Sequence, residues 1–256
     1  MYYQYYEARS GGGTKKIAFH NAKDMNIGGW QKVTLVDFPG KIATIVFTNG
    51  CVFRCGFCYN PDLVIGPFPA TTPEDEFFAF LDKRKGKLEG VVITGGEPTM
   101  QGDLISFMEK IKAKGFAVKL DTCGYLPDRV KTALESGFVD YVAMDIKAPL
   151  EKYSMVTNIQ VQTERIKESI KLIMESGIPY EFRSTLVAGV HELDDIIKMA
   201  RLIEGADKYY LQRFLTTEKL IDPAFKEKTA PPESLLNDVL EECRKYVTYC
   251  EIRING

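Results

Sequence analysis

The sequence predicts an α/β protein, an open partial (β/α)6 barrel of parallel strands. From Ile42 onward, short apolar runs alternate with stretches whose apolar residues follow a helical period. A glycine separates a helix from the next strand four times, at Gly115, Gly137, Gly177 and Gly205. Such repeats are typical of βα units that build a parallel sheet. About six units occur, fewer than the eight of a closed barrel, so we expect the sheet to stay open.

Apolar runs predict the strands. Residues 42–47 form a continuous apolar run, as expected for a strand that is buried on both faces of a parallel sheet. Five more runs complete the six units, and a last strand is predicted near the C-terminus. These strands are predicted over residues 91–94, 116–120, 139–146, 180–187, 208–214 and 249–254.

Apolar residues spaced three and four apart predict the helices between these strands. Thr72 and Pro73 stand at cap and first-turn positions of a helix over residues 74–83. The other helices are predicted over residues 104–111, 130–136, 166–174, 193–203 and 235–246.

The N-terminal residues do not share this pattern. Residues 1–6 are rich in tyrosine and have no apolar period, and residues 10–14 read Ser-Gly-Gly-Gly-Thr, which is typical of a linker. We therefore expect an unassigned extension over residues 1–25 and one partial-barrel domain over residues 26–256.

The composition indicates an ordinary soluble protein. Hydrophobic residues make up 45% of the chain and charged residues 27%, with a net charge of −2. The chain has no excess of positive charge, so binding to nucleic acid or to an anionic membrane is not expected. No apolar stretch is long enough to span a bilayer. Six cysteines without a signal peptide favour a cytoplasmic location, where cysteines bind metals more often than they form disulfides.

The most informative motif is Cys51-x3-Cys55-x2-Cys58. Three thiolates at this spacing can hold three irons of a [4Fe–4S] cluster and leave the fourth iron open. Structural clusters normally take four cysteines and structural zinc sites four ligands, so an open iron indicates chemistry. A zinc knuckle or three buried cysteines are the alternatives. The remaining cysteines are predicted to be buried thiols: Cys123, Cys243 and Cys250.

Glycine and glutamate follow the second predicted strand, at the end of the sheet where such folds place their sites. Gly95 and Gly96 allow the backbone to approach a ligand closely, and Glu97 offers an acceptor for a cationic group such as an amine. A turn is the simpler explanation for this motif taken alone.

Charged residues follow the next three strands. The third strand ends in Asp121-Thr122, the fourth in Asp145-Ile-Lys147, and the fifth carries Arg183. Carboxylates gathered at one end of the predicted barrel are costly to bury without partners. Solvated turn residues are one explanation, but together these residues indicate a polar ligand site that could include a bound cation.

Histidine chemistry is not expected. The chain has two histidines, His20 and His191, too few for a histidine-based zinc site. His191 comes just before a predicted helix, and we expect it to cap that helix or to face solvent.

The cysteine motif, with Phe57 directly before the third cysteine, resembles the radical S-adenosylmethionine (SAM) enzymes. The Gly95-Gly96-Glu97 run is similar to the motif that holds the methionyl amine of SAM in those enzymes. The resemblance implies that the amine and carboxylate of SAM chelate the open iron. A non-catalytic zinc or cluster module is disfavoured because this run is intact.

Two further motifs are similar to those of the activating enzymes of glycyl-radical proteins, such as the pyruvate formate-lyase activase. They are Asp-Thr-x-Gly, beginning at Asp121, and Asp-x-Lys, beginning at Asp145. The resemblance implies that Asp121, Thr122 and Asp145 line a monovalent cation site against SAM. It also implies that Lys147 helps to hold the SAM carboxylate.

The run over residues 27–41 and the runs over 46–51 and 95–101 resemble the anaerobic ribonucleoside-triphosphate reductase activating protein family. The resemblance covers roughly residues 26–215. Tyr59 stands where that family commonly has histidine, which leaves a stacking contact with adenine open to it. The sixth strand has no histidine, so the ribose contact is unassigned.

The resemblance implies a function. A reduced cluster cleaves SAM, and the resulting 5′-deoxyadenosyl radical abstracts hydrogen from a glycine of a partner glycyl-radical enzyme, with flavodoxin or ferredoxin as electron donor. The alternative is a small-molecule radical SAM enzyme similar to 7-carboxy-7-deazaguanine synthase. The cysteines and the Gly-Gly-Glu run fit both, whereas Asp121-Thr122 and Asp145-x-Lys147 favour the activase.

Overall fold

A computed structural model of the chain describes residues 5–10, 13–18, 25–66, 68 and 71–253. Ten strands are present in this part of the chain, two in a small sheet and eight in a large one. They are β1 (Tyr5–Ser10), β2 (Gly13–Ala18), β3 (Ile27–Thr34), β4 (Ala43–Thr48), β5 (Gly90–Gly95), β6 (Ala117–Thr122), β7 (Tyr141–Asp145), β8 (Tyr180–Leu186), β9 (Lys208–Arg213) and β10 (Tyr249–Arg253).

The large sheet runs in chain order from β3 to β10. Strands β4 to β10 are parallel to their neighbours, and β3 joins β4 in the antiparallel direction. Within the described residues β3 does not pair with β10, so the sheet does not close on itself. The predicted open partial barrel of parallel strands is therefore confirmed.

The sequence correctly predicted the seven parallel strands, with ends that differ by a few residues. It missed β3, which lies at the edge of the sheet. Two glycines stand near its start, and it is exposed over residues 31–33, so neither a clean alternation nor a continuous apolar run marks it as a strand.

Helices follow the strands along the chain, and each predicted helix is present. Two short helices, α1 and α5, were not predicted because four or five residues do not establish a helical period. No helix in the described ranges is long and apolar enough to cross a membrane. The helices are α1 (Pro61–Val64), α2 (Glu74–Lys83), α3 (Leu104–Ala113), α4 (Pro127–Glu135), α5 (Tyr153–Thr157), α6 (Thr163–Glu175), α7 (Leu193–Leu202) and α8 (Glu233–Cys243).

The N-terminal strands β1 and β2 pair with each other in the antiparallel direction, from Tyr5 opposite Ala18 to Ser10 opposite Gly13. They form a sheet separate from the large one. Residues 1–4, 11–12 and 19–24 lie outside the described residues. The assignment of residues 1–25 as an extension therefore stays a prediction.

A loop between β3 and β4 fills the amino end of the sheet interior. Phe38 of this loop is 2% exposed and packs with Ile45, Val92 and Tyr141, its ring 6.3 Å from that of Tyr141. A side chain at Gly90, the first residue of β5, would meet the Phe38 ring at 2.8 Å. An apolar plug therefore seals this end and leaves the opposite, carboxyl ends of the strands for a site.

Replacing Phe38 by alanine tests this plug. We expect Phe38→Ala to lower the free energy of unfolding by about 3–5 kcal/mol, because it empties a closely packed site. Leu35→Ala in the same loop is the control, since Leu35 is 72% exposed and should matter by less than about 0.5 kcal/mol. Equal destabilisation of both variants in chemical denaturation would contradict the packing described for Phe38.

Candidate active site

A cavity of 380 Å³ lies at the carboxyl ends of the strands, within the size range of ligand sites. It brings together residues that are far apart in the sequence, from the cysteine loop after β4 to the ends of β8 and β9. All twelve site residues predicted from the sequence line it: Cys51, Cys55, Cys58, Tyr59, Gly95, Gly96, Glu97, Asp121, Thr122, Asp145, Lys147 and Arg183.

Arg54 shapes the cysteine loop. Its guanidinium donates to the carbonyl oxygens of Cys51 at 2.6 Å and Phe53 at 2.8 Å, which curls the loop around the side chain. The Arg54 backbone N–H donates to the carbonyl of Thr157 at 2.8 Å, and the Asn158 side chain donates to the Arg54 carbonyl at 2.9 Å. The unpredicted helix α5 thus anchors the loop that carries the three cysteines.

The segment after β9 covers the outer side of the same loop. The Asp222 backbone N–H donates to the Gly56 carbonyl at 3.0 Å, and the Phe225 ring lies 6.0 Å from that of Phe57. A Cβ atom on Gly56 would lie 2.5 Å from the Phe225 ring. Only glycine fits at position 56 while Phe225 keeps this position.

Tyr59 is held on one face and at its hydroxyl. Its ring stacks on Phe214 at 5.8 Å with an angle of 11° between the planes, and its hydroxyl accepts from the Leu215 backbone N–H at 2.9 Å. The ring also lines the cavity. Its predicted contact with adenine stays a prediction.

The three thiols are free, with no disulfide among them. Burial raises the pKa of each, that of Cys55 to about 12. Bound iron takes up thiolates and releases their protons. In the described part of the chain, no three His, Cys, Asp or Glu side chains are arranged to hold a single ion. A [4Fe–4S] cluster spreads its thiolates over three irons, so a set of three soft sulfur donors in one cavity fits that group.

Glu97 is completely buried and joins the ends of β5 and β6. One carboxylate oxygen accepts from the Thr99 N–H at 3.0 Å, the Thr99 hydroxyl at 2.5 Å and the Thr122 hydroxyl at 2.8 Å. The other oxygen accepts from the Cys123 N–H at 2.7 Å. Glu97 and Thr122 therefore hold each other in place, and the amine contact predicted for Glu97 stays a prediction.

The two glycines before Glu97 are required by close packing, of Gly95 against strand β4 and of Gly96 against the cysteine loop. Gly95 has a φ of +112°, and a Cβ atom there would lie 2.3 Å from the Thr48 nitrogen. A Cβ atom on Gly96 would lie 1.9 Å from the Gly50 carbonyl oxygen, which accepts from the Glu97 N–H at 2.7 Å. The glycines thus let the Glu97 loop lie directly against the cysteine loop, a role that the sequence alone did not indicate.

Arg183 lies between the two aspartates. It donates to Asp145 at 2.9 Å and to Asp121 at 3.0 Å, and Lys147 donates to the second oxygen of Asp145 at 3.1 Å. Burial alone would raise the pKa of Asp145, but the charges of Arg183 and Lys147 outweigh it and lower that pKa to about 2. Burial alone would lower the pKa of Lys147, but Asp145 outweighs it and raises that pKa.

A second layer of charges lies behind these groups. Lys119 is 1% exposed, and its amine lies 3.1 Å from Oδ1 of Asp121. The angle between the two groups leaves this buried Oδ1 without a hydrogen bond. Glu181 accepts from both outer nitrogens of Arg253 at 3.0 Å. Because Arg183 already bridges the aspartates, a monovalent cation would have to share Asp121 with two basic side chains. The cation stays a prediction.

Comparison with known proteins agrees with this arrangement. The sequence model of the radical SAM superfamily matches residues 45–203. A Methanocaldococcus jannaschii protein named "Putative glycyl-radical enzyme activating enzyme" is 31% identical over 240 residues, 90% of this chain and 97% of that protein. The chain belongs to the radical SAM superfamily. The predicted resemblance is therefore confirmed, and the chain is an enzyme.

A second relative is the pyruvate formate-lyase-activating enzyme of Streptococcus mutans, 30% identical over 192 residues, 70% of this chain and 71% of that protein. The structure of Streptococcus suis SuiB bound to S-adenosylmethionine has the same fold, with a TM-score of 0.61 and 16% identity. That match covers 82% of this chain and 52% of SuiB, so the chain spans about half of SuiB.

The sequence did not reveal the role of His191, which lies behind the cavity residue Lys147. It is 2% exposed, so the prediction of a helix cap or solvated side chain is wrong. Its Nδ1 accepts from the Val187 N–H at 3.1 Å, which leaves the proton on Nε2 to donate to the Lys147 carbonyl at 2.9 Å. Its ring lies 6.1 Å from that of Phe57. His191 therefore positions Lys147 through contacts that no local sequence pattern predicts.

Replacing Glu97 by glutamine tests its part in holding the site together. We expect Glu97→Gln to lower the free energy of unfolding by roughly 2 kcal/mol or more, because the amide cannot accept from all four donors and adds donors of its own. Glu135→Gln is the control, since its side chain is 66% exposed. A loss no larger than that of the control in chemical denaturation would contradict the role given to Glu97.

Metal analysis tests the cysteine assignment. After anaerobic reconstitution we expect about four irons per chain, as a [4Fe–4S] cluster requires. Cys51→Ala should bind less iron and lose SAM cleavage, whereas Cys243→Ala, a buried thiol of α8 outside the cavity, should keep both. Stoichiometric tetrahedral zinc in the anaerobically purified protein, with no cluster after reconstitution, would show that the assignment is wrong.

Proposed function

We propose that this chain is the activating enzyme of a glycyl-radical enzyme, of the anaerobic ribonucleotide reductase or pyruvate formate-lyase type. Cys51, Cys55 and Cys58 would hold a [4Fe–4S] cluster. The observation that carries the proposal is one shared cavity, in which these thiols lie with the charged groups of Asp145 and Lys147. The relatives named as activating enzymes support this substrate class over others.

Lys147 provides for the carboxylate of a SAM methionyl group, and Glu97, which lines the same cavity, would accept from its amine. Lys147, whose pKa is raised by Asp145, stays protonated and offers a cation to the carboxylate. His191 fixes the backbone of Lys147 by donating to its carbonyl oxygen. Asp145 accepts from the side-chain amine of Lys147 at 3.1 Å. Tyr59, held by Phe214, presents an aromatic edge of the cavity to the adenine.

When bound, a reduced cluster supplies one electron that breaks the S–C5′ bond of SAM, which yields methionine and a hydrogen-abstracting 5′-deoxyadenosyl group. The hydrogen atom comes from the Cα of a partner glycine and ends in 5′-deoxyadenosine, while the glycine keeps the unpaired electron. Flavodoxin or ferredoxin would supply the electron, in the cytoplasm. The protein contributes binding, orientation and exclusion of water.

The small-molecule alternative uses the same cluster and the same Gly-Gly-Glu run. Two features support the activase instead. The pairs Asp121-Thr122 and Asp145-x-Lys147 both face the cavity, as the resemblance to activases requires. The Methanocaldococcus jannaschii and Streptococcus mutans relatives, which match 90% and 70% of this chain, carry activating-enzyme names.

A glycyl-radical assay tests the proposal. The reconstituted enzyme, reductant and SAM are mixed with an anaerobic ribonucleotide reductase or a pyruvate formate-lyase, and the mixture is examined by EPR. We expect a glycyl radical on the partner, and deuterium in 5′-deoxyadenosine when the partner contains deuterated glycine. Deuterium transfer from a purine or pterin compound, and none from either partner, would establish the small-molecule alternative.

SAM affinity tests the role of Lys147. We expect Lys147→Met to raise the Kd for SAM by about tenfold or more, because one charge-assisted hydrogen bond is lost. Lys131→Met on the exposed face of α4 is the control, with its side chain 57% exposed and outside the cavity. Equal affinity in both variants, measured by calorimetry on the reconstituted enzyme, would show that Lys147 does not bind the SAM carboxylate.

A further inference from the structure

The chain between β9 and α8 forms a loop that lies against the cysteine loop from outside the cavity. The Thr216 hydroxyl donates to the Lys228 carbonyl at 2.9 Å, which brings the two ends of the loop together. Residues 216–228 therefore form a compact surface loop with adjacent ends, which we call the covering loop. In the described ranges none of its residues lines the cavity. The binding of SAM and the reaction proposed above assign it no role.

Contacts with the body of the protein hold the covering loop in place. Just before it, the Leu215 N–H donates to the Tyr59 hydroxyl at 2.9 Å. Just after it, the Thr229 carbonyl accepts from the Ala188 N–H at 2.9 Å. Within it, Leu220 is 7% exposed and packs into the main hydrophobic core. The loop is therefore attached at both ends and along its length.

A short 3-10 turn over Pro223–Glu227 presents Phe225 to the cysteine loop. Asp222 caps this turn, since its side chain accepts from the Ala224 N–H at 2.9 Å. Proline at the first position has a φ that suits the start of such a turn. The Phe225 N–H donates to the Asp222 carbonyl at 3.0 Å. The local sequence therefore fixes the position of Phe225.

Phe225 contacts the cysteine loop between the second and third cysteines. Its ring lies 6.0 Å from the Phe57 ring, and a Cβ atom on Gly56 would lie 2.5 Å from it. The Gly56 carbonyl accepts from the Asp222 N–H at 3.0 Å. Gly56 does not have a positive φ, so the position needs glycine for space and not for backbone conformation. The two loops are therefore packed directly on each other.

A cluster on this loop would have two sides to protect. The cavity side is lined by the strand ends and would be filled by SAM. On the outer side, the Phe225 ring and the backbone of Asp222 lie over the residues that join two of the cysteines. An apolar layer around a metal site limits the access of solvent to the metal. The covering loop provides such a layer on the side that SAM does not reach.

We propose that the covering loop is the outer wall of the cluster site and that Phe225 shields the cluster from water and from reagents. This inference rests on the cluster assigned to Cys51, Cys55 and Cys58 under the proposed function, and not on the identity of the partner. Surface loops open locally at a lower free energy than the core. Opening of the covering loop is the route by which a reagent reaches the iron from this side, and the contacts of Phe225 set how often it opens.

Iron release from the reconstituted enzyme tests this role. Bathophenanthroline disulfonate, an iron chelator with a coloured complex, is added anaerobically, and its rate of iron uptake is measured. We expect Phe225→Ala to assemble the cluster but to release iron about fivefold faster or more, because the open state of the loop becomes more populated. Phe225→Leu keeps an apolar contact and should stay within about twofold of the wild type.

Phe80→Ala is the matched control. Phe80 is also a partly buried phenylalanine, it packs against Trp30 and Phe77 at ring distances of 6.0 and 6.5 Å, and it does not line the cavity. We expect this variant to release iron at the wild-type rate. Equal acceleration in Phe80→Ala and Phe225→Ala, or no acceleration in Phe225→Ala, would show that the shielding role is wrong.

A double variant shows whether the contact between the two loops is what matters. The methyl group added by Gly56→Ala meets the Phe225 ring. We therefore expect Gly56→Ala to accelerate iron release about fivefold in the wild type and to have little further effect in Phe225→Ala, where the ring is gone. Equal acceleration in both backgrounds would place the effect in the cysteine loop itself and contradict the proposal.

Alkylation of the iron-free protein separates this inference from the cluster assignment. Iodoacetamide is added, and modification of Cys55, Cys58 and Cys243 is followed by mass spectrometry. We expect Phe225→Ala to raise the rates at Cys55 and Cys58 about fivefold relative to Cys243, which is buried in α8. Unchanged rates would overturn the inference even if a glycyl radical forms on a partner enzyme. A wild type that takes up no iron on reconstitution would instead contradict the cluster assignment, and with it the proposed function.

Discussion

The site depends on the ion pairs that join carboxylates and basic groups at the carboxyl end of the sheet. Asp121 and Asp145 are separated from most of the solvent, and burial by itself would raise the pKa of Asp145. Arg183 bridges them, Lys147 takes the remaining oxygen of Asp145, and Lys119 approaches Asp121 from below. Because removal of one member of such a network leaves a buried charge without a partner, the strand ends are coupled to one another. A SAM methionyl group would bind among charges that the protein has already arranged.

Two backbone contacts connect this charged layer to the cysteine loop. Gly96 lies against the Gly50 carbonyl, with no space for a side chain, and the same carbonyl accepts from the Glu97 N–H. Glu97 in turn holds Thr122 at the end of β6. The loop that would carry the cluster and the strands that would carry SAM are therefore joined by direct contacts into one hydrogen-bonded unit. The unpredicted residue His191 extends this unit to the backbone of Lys147.

Much of this could be read from the sequence because the signals are local. Alternating strands and helices with glycine between them predicted the order of the parallel sheet, and every site residue taken from a strand end lines the cavity. The rest depends on contacts between distant segments. The edge strand β3, the burial of His191 and the anchoring of Arg54 by α5 are set by tertiary packing. Even the glycines of the Gly-Gly-Glu run were predicted for a partly different reason, since the space of a side chain there is taken by strand β4 and by the loop that follows it.

The central claim is that one iron of a cluster on Cys51, Cys55 and Cys58 is open and takes SAM in this cavity. The most direct measurement is pulsed EPR of the reduced, reconstituted enzyme with SAM whose methionyl amine carries nitrogen-15. The account predicts that SAM changes the EPR spectrum of the cluster and that the labelled nitrogen is coupled to it. A cluster spectrum that is identical with and without saturating SAM, with no nitrogen-15 coupling, would contradict it.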